Sequence, residues 1–174
     1  VADIHSPTSN VTGLTVGANT FRWTVANGLC STSSDEVTIF LFDDANLVAN
    51  AGPDQEMCTP NSTATMTGSA VILPAQGTWT LASGTGTIIS PNSPTSSIID
   101  LETGTNIFVW TVDNGPCANG ITRDTVEIRV FDANNPVANA GPDQELCTPV
   151  GSVALAGSAV IAPAQGTWTV VQGT

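Results

Sequence analysis

The sequence predicts an all-β protein made of tandem β-sandwiches stacked end to end. Three observations carry this expectation. The chain repeats itself at a domain-sized interval, its apolar residues alternate with period two, and Asn-Gly and Gly-Pro pairs punctuate it with no helical period between them. The repeat is the strongest of the three. Residues Val48 to Glu56 return letter for letter at Val137 to Glu145, and 26 of 38 positions are identical when Val137 to Thr174 is laid on Val48 to Thr85 at an offset of 89. Ser6-Pro7-Thr8, Trp23-Thr24-Val25 and Cys30 match Ser93-Pro94-Thr95, Trp110-Thr111-Val112 and Cys117 at an offset of 87. Two residues inserted near Asn119 to Ile121 restore 89 for Val37/Val126, Ile39/Ile128 and Phe42/Phe131. A period of this size is a domain and is well beyond the roughly 20 to 50 residues of a solenoid.

The phase of the repeat sets the expected domains. Residues 1–47 are the back half of a repeat, 48–136 a complete one, and 137–174 the front half of a third. The economical expectation is a window on a longer repetitive polypeptide. The rival expectation is that the front half of one chain folds with the back half of the next.

Phe21, Trp23 and Val25 alternate with Thr20, Arg22 and Thr24, so they share one face of a strand, and Phe108, Trp110 and Val112 repeat the arrangement. Asn27-Gly28 and Asn114-Gly115 follow and supply the positive φ of a hairpin turn. The returning strand carries Val37, Ile39 and Leu41 inward, matched by Val126, Ile128 and Val130. Phe40 shares the parity of Thr38, so Phe40 and Phe42 do not both face the core, and one belongs on a surface or a domain contact. Pro53 and Pro142 make the first strand of a repeat an edge strand, or break it at Gly-Pro. Trp79 with Leu81, and Trp168 with Val170, mark a strand near the middle of each repeat. Gly86 to Ser90 and Ser96 to Leu101 are weaker strands separated by Pro91 and Pro94. About seven short strands per repeat, with one Trp per sheet face, predict an immunoglobulin-like sandwich. The linkers Asp43 to Val48 and Asp132 to Val137 are short, which restricts bending between neighbours.

Composition excludes some functions. Fifteen acidic residues against three Arg and no Lys give a net charge of -12, which repels nucleic acid and anionic membrane surfaces. There is no uninterrupted apolar run of membrane-spanning length. The four cysteines recur at equivalent places and lack metal-site spacing, so they read as structural disulfides of an oxidising compartment. The preferred pair is Cys58 with Cys117, leaving Cys30 and Cys147 to partners outside the chain. The alternative pairs Cys30 with Cys58 and Cys117 with Cys147, stapling neighbouring domains.

Candidate chemistry is sparse. His5 is the single histidine and its counterpart is Asn92, so the repeat preserves no histidine-based triad. Asp54 and Glu56, copied as Asp143 and Glu145, read as a solvated edge-strand face rather than an acid/base pair. Asp43, Asp44 and Asn46 near Asp54, and Asp132, Asn134 and Asn135 near Asp143, offer hard oxygen ligands for a calcium ion at the domain junctions. Asn10-Val11-Thr12 and Asn61-Ser62-Thr63 are formal N-glycosylation sequons.

The Ala-Asn-Ala-Gly-Pro-Asp-Gln opening, the Gly-Thr-Trp-Thr strand, the Asn-Ser-Pro-Thr segment and the Gly-Thr-Asn-Ile-Phe-Val-Trp-Thr-Val strand followed by Asn-Gly-Pro-Cys resemble PKD-like repeats. They are similar to the version carried by giant cell-surface adhesins of Bacteroidota, such as the gliding-motility adhesins exported by the type IX secretion system. The resemblance covers the whole chain. Trp79-Thr80-Leu81-Ala82-Ser83-Gly84 stands where shorter PKD domains carry Trp-Asp-Phe-Gly-Asp-Gly, and the cysteine pair is a second departure. The resemblance implies an extracellular sandwich without catalytic residues. It also makes Asp124-Thr125-Val126 similar to the Asp-Ser/Thr-apolar O-glycosylation site of Bacteroidota, with Thr125 as acceptor. The expected function is a structural segment of an extracellular filament or adhesin stalk whose partners are neighbouring repeats and, in some arrangements, surface glycans. The alternative is an accessory or carbohydrate-binding module of a secreted polysaccharide-degrading enzyme.

Overall fold

Period-two alternation becomes a strand wherever a neighbouring chain segment completes its hydrogen-bond ladder. A computed structural model describes residues 1–45, 48–118, 120–134, 137–149 and 151–173. It contains nine strands and no helix among these residues. Two belong to the first repeat, β1 (Gly17–Ala26) and β2 (Thr32–Leu41). Seven belong to the second: β3 (Gln55–Cys58), β4 (Ala64–Thr65), β5 (Gln76–Ser83), β6 (Thr87–Ile88), β7 (Ser97–Ile99), β8 (Gly104–Asp113) and β9 (Ile121–Phe131).

The second repeat forms a sandwich. One sheet has the order β3-β9-β8-β5 and the other β4-β7-β6, which is immunoglobulin-like in topology. β3 lies at a sheet edge and runs parallel to β9, while β8 pairs antiparallel with both β9 and β5. The segment before it, residues 48–54, forms no strand, as Gly52-Pro53 led one to expect. Two of its backbone N–H groups are held by side chains of β9, Ala49 N donating to Thr122 Oγ1 at 2.8 Å and Ala51 N to Asp124 Oδ2 at 2.8 Å, and its Asp54 side chain in turn accepts from the β9 backbone at Glu127 N, 2.9 Å away.

The two tryptophans of this sandwich do not divide between the sheets. Trp79 of β5 sits directly opposite Trp110 of β8 in one sheet, with ring centroids 4.9 Å apart and planes inclined by 38°. Antiparallel pairing in this register puts both indoles on the same inner face, where their edges find acceptors. Trp79 Nε1 donates to Pro94 O at 3.3 Å, and Trp110 Nε1 to Ser69 O at 3.2 Å. Both rings are essentially inaccessible, Trp79 at 1% and Trp110 at 0%. Around them Phe108, Val112, Val126, Ile128 and Val130 meet Met66, Ile98 and Leu101 of the facing layer. Every buried apolar side chain among the described residues falls between Ala49 and Val130.

Residues 17–41 form a two-stranded ribbon in which Gly17 faces Leu41, the register in which Gly104 faces Val130. The last register pairs before the connections are Ala26 with Thr32 and Asp113 with Ile121, so the extra residues of the second repeat fall outside the strands. Gly28 and Gly115 adopt φ of 56° and 58°, as the Asn-Gly pairs demanded. The described residues of 137–173 contain no strand, and the one expected around Trp168 and Val170 is absent. The physical cause is ladder chemistry: the counterpart Trp79 strand bonds to β8, and residues 137–173 have no β8 of their own.

Candidate interaction surfaces

Residues 137–173 nevertheless carry the local geometry of residues 48–84. Ser69 N donates to Asn50 O at 2.7 Å, and Ser158 N to Asn139 O at 2.7 Å. Gln55 Nε2 reaches Thr65 O at 3.0 Å, and Gln144 Nε2 reaches Ala154 O at 3.0 Å. Asn50 Oδ1 accepts from Gly52 N at 2.8 Å, and Asn139 Oδ1 from Gly141 N at 2.8 Å. All of these bonds lie within residues 139–158, as their counterparts lie within residues 50–69.

What differs is the environment. Trp168 is 54% exposed, and Leu155, Val160, Ile161 and Val170 are exposed with it. Ala138, Ala140, Gly157, Ser158, Gly166 and Trp168 line an open cavity of about 530 Å³. Their counterparts Gly68 and Gly77 lie against the Trp110 indole, and Ser69 accepts its N–H. In the central sandwich the corresponding space is filled by the Trp110 indole.

The ribbon of β1 and β2 also leaves an apolar face open. Its apolar face presents Phe21, Trp23, Val37 and Ile39, which with Ile4 and Val11 line a groove of about 450 Å³. Trp23, the counterpart of Trp110, is 44% exposed. The polar acceptors recur as well, because Ser33 and Asp35 occupy the places of Thr122 and Asp124, which hold Ala49 N and Ala51 N. Asn19 reproduces the Asn106 anchor, donating to Thr15 O at 2.7 Å and to Ile39 O at 3.4 Å.

A joint between ribbon and sandwich is formed at Phe42. Phe40 is 56% exposed, whereas the Phe42 ring lies on Gly115, where an added Cβ would come within 2.6 Å of Phe42 Cζ. Asn114 Nδ2 donates to Asp43 O at 2.9 Å beside it. The turn between β8 and β9 thus faces the preceding repeat.

The structure revises the cysteine reading. Cys58 stands opposite Phe131 at the end of β9, while Cys117 precedes Ile121 at its start. A strand of this length separates them by about 30 Å, against roughly 4.4 to 6.8 Å between the Cα atoms of a disulfide. The expected Cys58–Cys117 bond is therefore excluded within one sandwich, because β3 runs parallel to β9 and ends at the far pole. Cys30, Cys58, Cys117 and Cys147 are all free thiols here.

The junction acids do not converge either. Asp54 is opposite Glu127, about 20 Å along β9 from the pole at which Asp43 meets Asn114, and Asp132 lies beyond the opposite end. Asp43 Oδ1 and Asp132 Oδ1 accept from the backbone of Ala45 and Asn134, both at 2.9 Å. Asp44 and Asp143 are exposed, and Asn46 and Asn135 lie outside the described residues. Among the described residues no group of three or more His, Cys, Asp or Glu is placed to hold a metal ion. His5 is exposed, and its backbone N–H donates to Asp3 Oδ1 at 2.9 Å. Thr125, Asn10 and Asn61 are exposed. Arg129 links the edge strand, with Nε to Glu127 Oε1 at 2.7 Å and Nη1 to Glu56 Oε1 at 3.4 Å, and the Glu127 hydrogen bond holds its pKa above the usual arginine value. No helix among the described residues is long and apolar enough to cross a membrane.

No family model matches the chain. It is 28% identical over 165 residues to the dyslexia-associated protein KIAA0319 homolog of Mus musculus, covering 88% of this chain and 15% of that protein. It is 29% identical over 154 residues to the dyslexia-associated protein KIAA0319-like protein of Mus musculus, covering 83% of this chain and 15% of that one. The chain thus spans about 15% of the length of the curated relatives it matches. Among solved structures it is similar to the PKD domain from the KIAA 1837 protein, with a TM-score of 0.43 and 25% identity, over 52% of this chain and 92% of that one. It is also similar to the PKD domain from human KIAA0319, with a TM-score of 0.41 and 20% identity, over 56% of this chain and 88% of that one.

Proposed function

We propose that the chain is a structural segment of a long extracellular filament or adhesin stalk, of the kind built from PKD-like repeats on the surface of Bacteroidota, and that it performs no catalysis. One observation carries this reading above the others. The Trp110 socket is reproduced in residues 137–173 with its cavity open, and the Trp110 counterpart, Trp23, is displayed on the ribbon of residues 17–41. Covering such faces is the work of a neighbouring repeat, since exposed apolar surfaces of this kind mark interaction sites.

The mechanism is geometric. In the central sandwich the incoming segment is held from Ala49 onward at the start of β9, and the chain leaves at Phe131, at its end. Repeats joined this way project end to end, about 35 Å each for strands of this length. Tension along the array shears β3 against the parallel β9, so the ladder from Gln55 to Cys58 is loaded together rather than opened one bond at a time.

Electron microscopy of the chain concentrated in reducing buffer tests the proposal. Unbranched threads with a bead spacing of ~35 to 45 Å are expected. Compact particles of fixed size would contradict it.

A further inference from the structure

The cysteines, separated by the length of a sandwich within one repeat, come together across a joint between two. In the central sandwich Cys58 is the register partner of Phe131, and neighbouring strands lie about 4.8 Å apart. Phe42 is the counterpart of Phe131 one repeat earlier, and its ring rests on Gly115, two residues from Cys117. A front-half strand laid beside Phe42 in the β3–β9 register therefore ends its cysteine next to the turn that carries Cys117. The same geometry one repeat on brings Cys58, beside Phe131, to the turn that carries Cys30 in a following ribbon.

We infer that each joint is locked by a disulfide between the cysteine ending β3 of one repeat and the cysteine in the β8–β9 turn of the next. The inference rests on the array reading above. For two copies of this chain in sequence, the pairs are Cys58 of the first with Cys30 of the second, and Cys147 of the first with Cys117 of the second. Both cross from one copy to the other, and no thiol is left over. Opposite poles within one copy cannot substitute, since the central sandwich separates its two joints by the length of β9. Cys30, Cys58 and Cys147 are exposed and Cys117 is half-buried, so thiols on both sides of the joint are open to exchange. Formation proceeds by thiolate attack on a low-molecular-weight disulfide and then displacement by the second thiol. The cysteine pair loses two protons and two electrons, and the reagent is reduced to two thiols.

The test mixes light and isotopically heavy copies of the full chain, lets them assemble in reducing buffer, and then exposes them to a glutathione redox buffer. Peptide mapping without reduction is expected to find Cys30 linked to Cys58 and Cys117 linked to Cys147, including links that combine a light and a heavy partner. A denaturing gel should show a ladder in steps of 17.7 kDa that collapses on reduction. The double variant Cys58→Ser/Cys147→Ser should lose the ladder while assembling normally in reducing buffer. Assembly that yields only unlinked thiols or scrambled pairs overturns the lock and leaves the array standing. Copies that keep the mass of one chain in reducing buffer overturn the array, and the lock with it.

Discussion

Trp79 and Trp168 belong to the same seven-residue run, Pro-Ala-Gln-Gly-Thr-Trp-Thr, and meet opposite fates. The first is 1% exposed and the second 54%. Trp110 and Trp23 diverge in the same way, at 0% and 44%. Local geometry does not explain the contrast, because the hydrogen bonds from Ser158 to Asn139 and from Gln144 to Ala154 repeat those of the completed sandwich. The difference lies in the facing half. Local sequence sets the shape of each segment, and in the central sandwich Trp79 and Trp110 are buried because the residues from Ala49 to Leu101 face those from Phe108 to Val130.

Substitutions at paired positions sharpen this contrast. The largest effect is expected from Trp110→Ala, which removes a fully buried indole and should cost on the order of 3 to 5 kcal/mol of central-sandwich stability. Trp23→Ala, in dilute chain, should leave that unfolding transition unmoved. Chemical denaturation monitored by circular dichroism measures both. Gly77→Ala comes next: its Cβ would run into the Trp110 ring, whereas at Gly166 an added Cβ would meet Val160 Cγ1 at an ordinary 3.6 Å. The first should destabilise by about 1 to 3 kcal/mol and the second should be silent in dilute solution. Equal costs at the two glycines would erase the distinction between the regions.

Asn106 is buried at 2%, and its amide accepts from Thr85 N at 2.7 Å and Thr85 Oγ1 at 3.1 Å while donating to Glu102 O and Ile128 O. Asn106→Ala strands several of these groups and should lower the midpoint by an amount equivalent to about 1 to 3 kcal/mol. Asn19→Ala, in the ribbon, should cost less, because water reaches the groups it frees. The smallest effect belongs to Arg129→Ala, whose exposed pairs with Glu127 and Glu56 should be worth about 0.2 to 1 kcal/mol and fade with added salt.

Much of the fold was legible because it rests on period and parity. Alternation around Trp110 and Val126 located β8 and β9, the Asn-Gly pairs located their turn, and Gly52-Pro53 delayed the start of β3. What failed was the information that only the third dimension holds. Nothing in the spacing of Cys58 and Cys117 reveals that β3 runs parallel to β9, so their pairing looked closed when it spans the sandwich. Trp79 and Trp110 gave no sign of sharing a sheet, because the register of β5 on β8 is set by packing. The strand expected at Trp168 had the right residues and lacked a ladder partner. The joint at Phe42 had a signal in Phe40 and Phe42, which could not both serve the core, but its seat on Gly115 belongs to another repeat and is invisible along the chain.

The most direct measurement is sedimentation of the chain in reducing buffer across a wide range of concentration, with tryptophan emission recorded on the same samples. Complementary half-sandwiches require the mass to climb from 17.7 kDa in multiples of itself while the emission moves to shorter wavelength as Trp23 and Trp168 become enclosed. A mass fixed at one chain, with emission unchanged at every concentration, would contradict it.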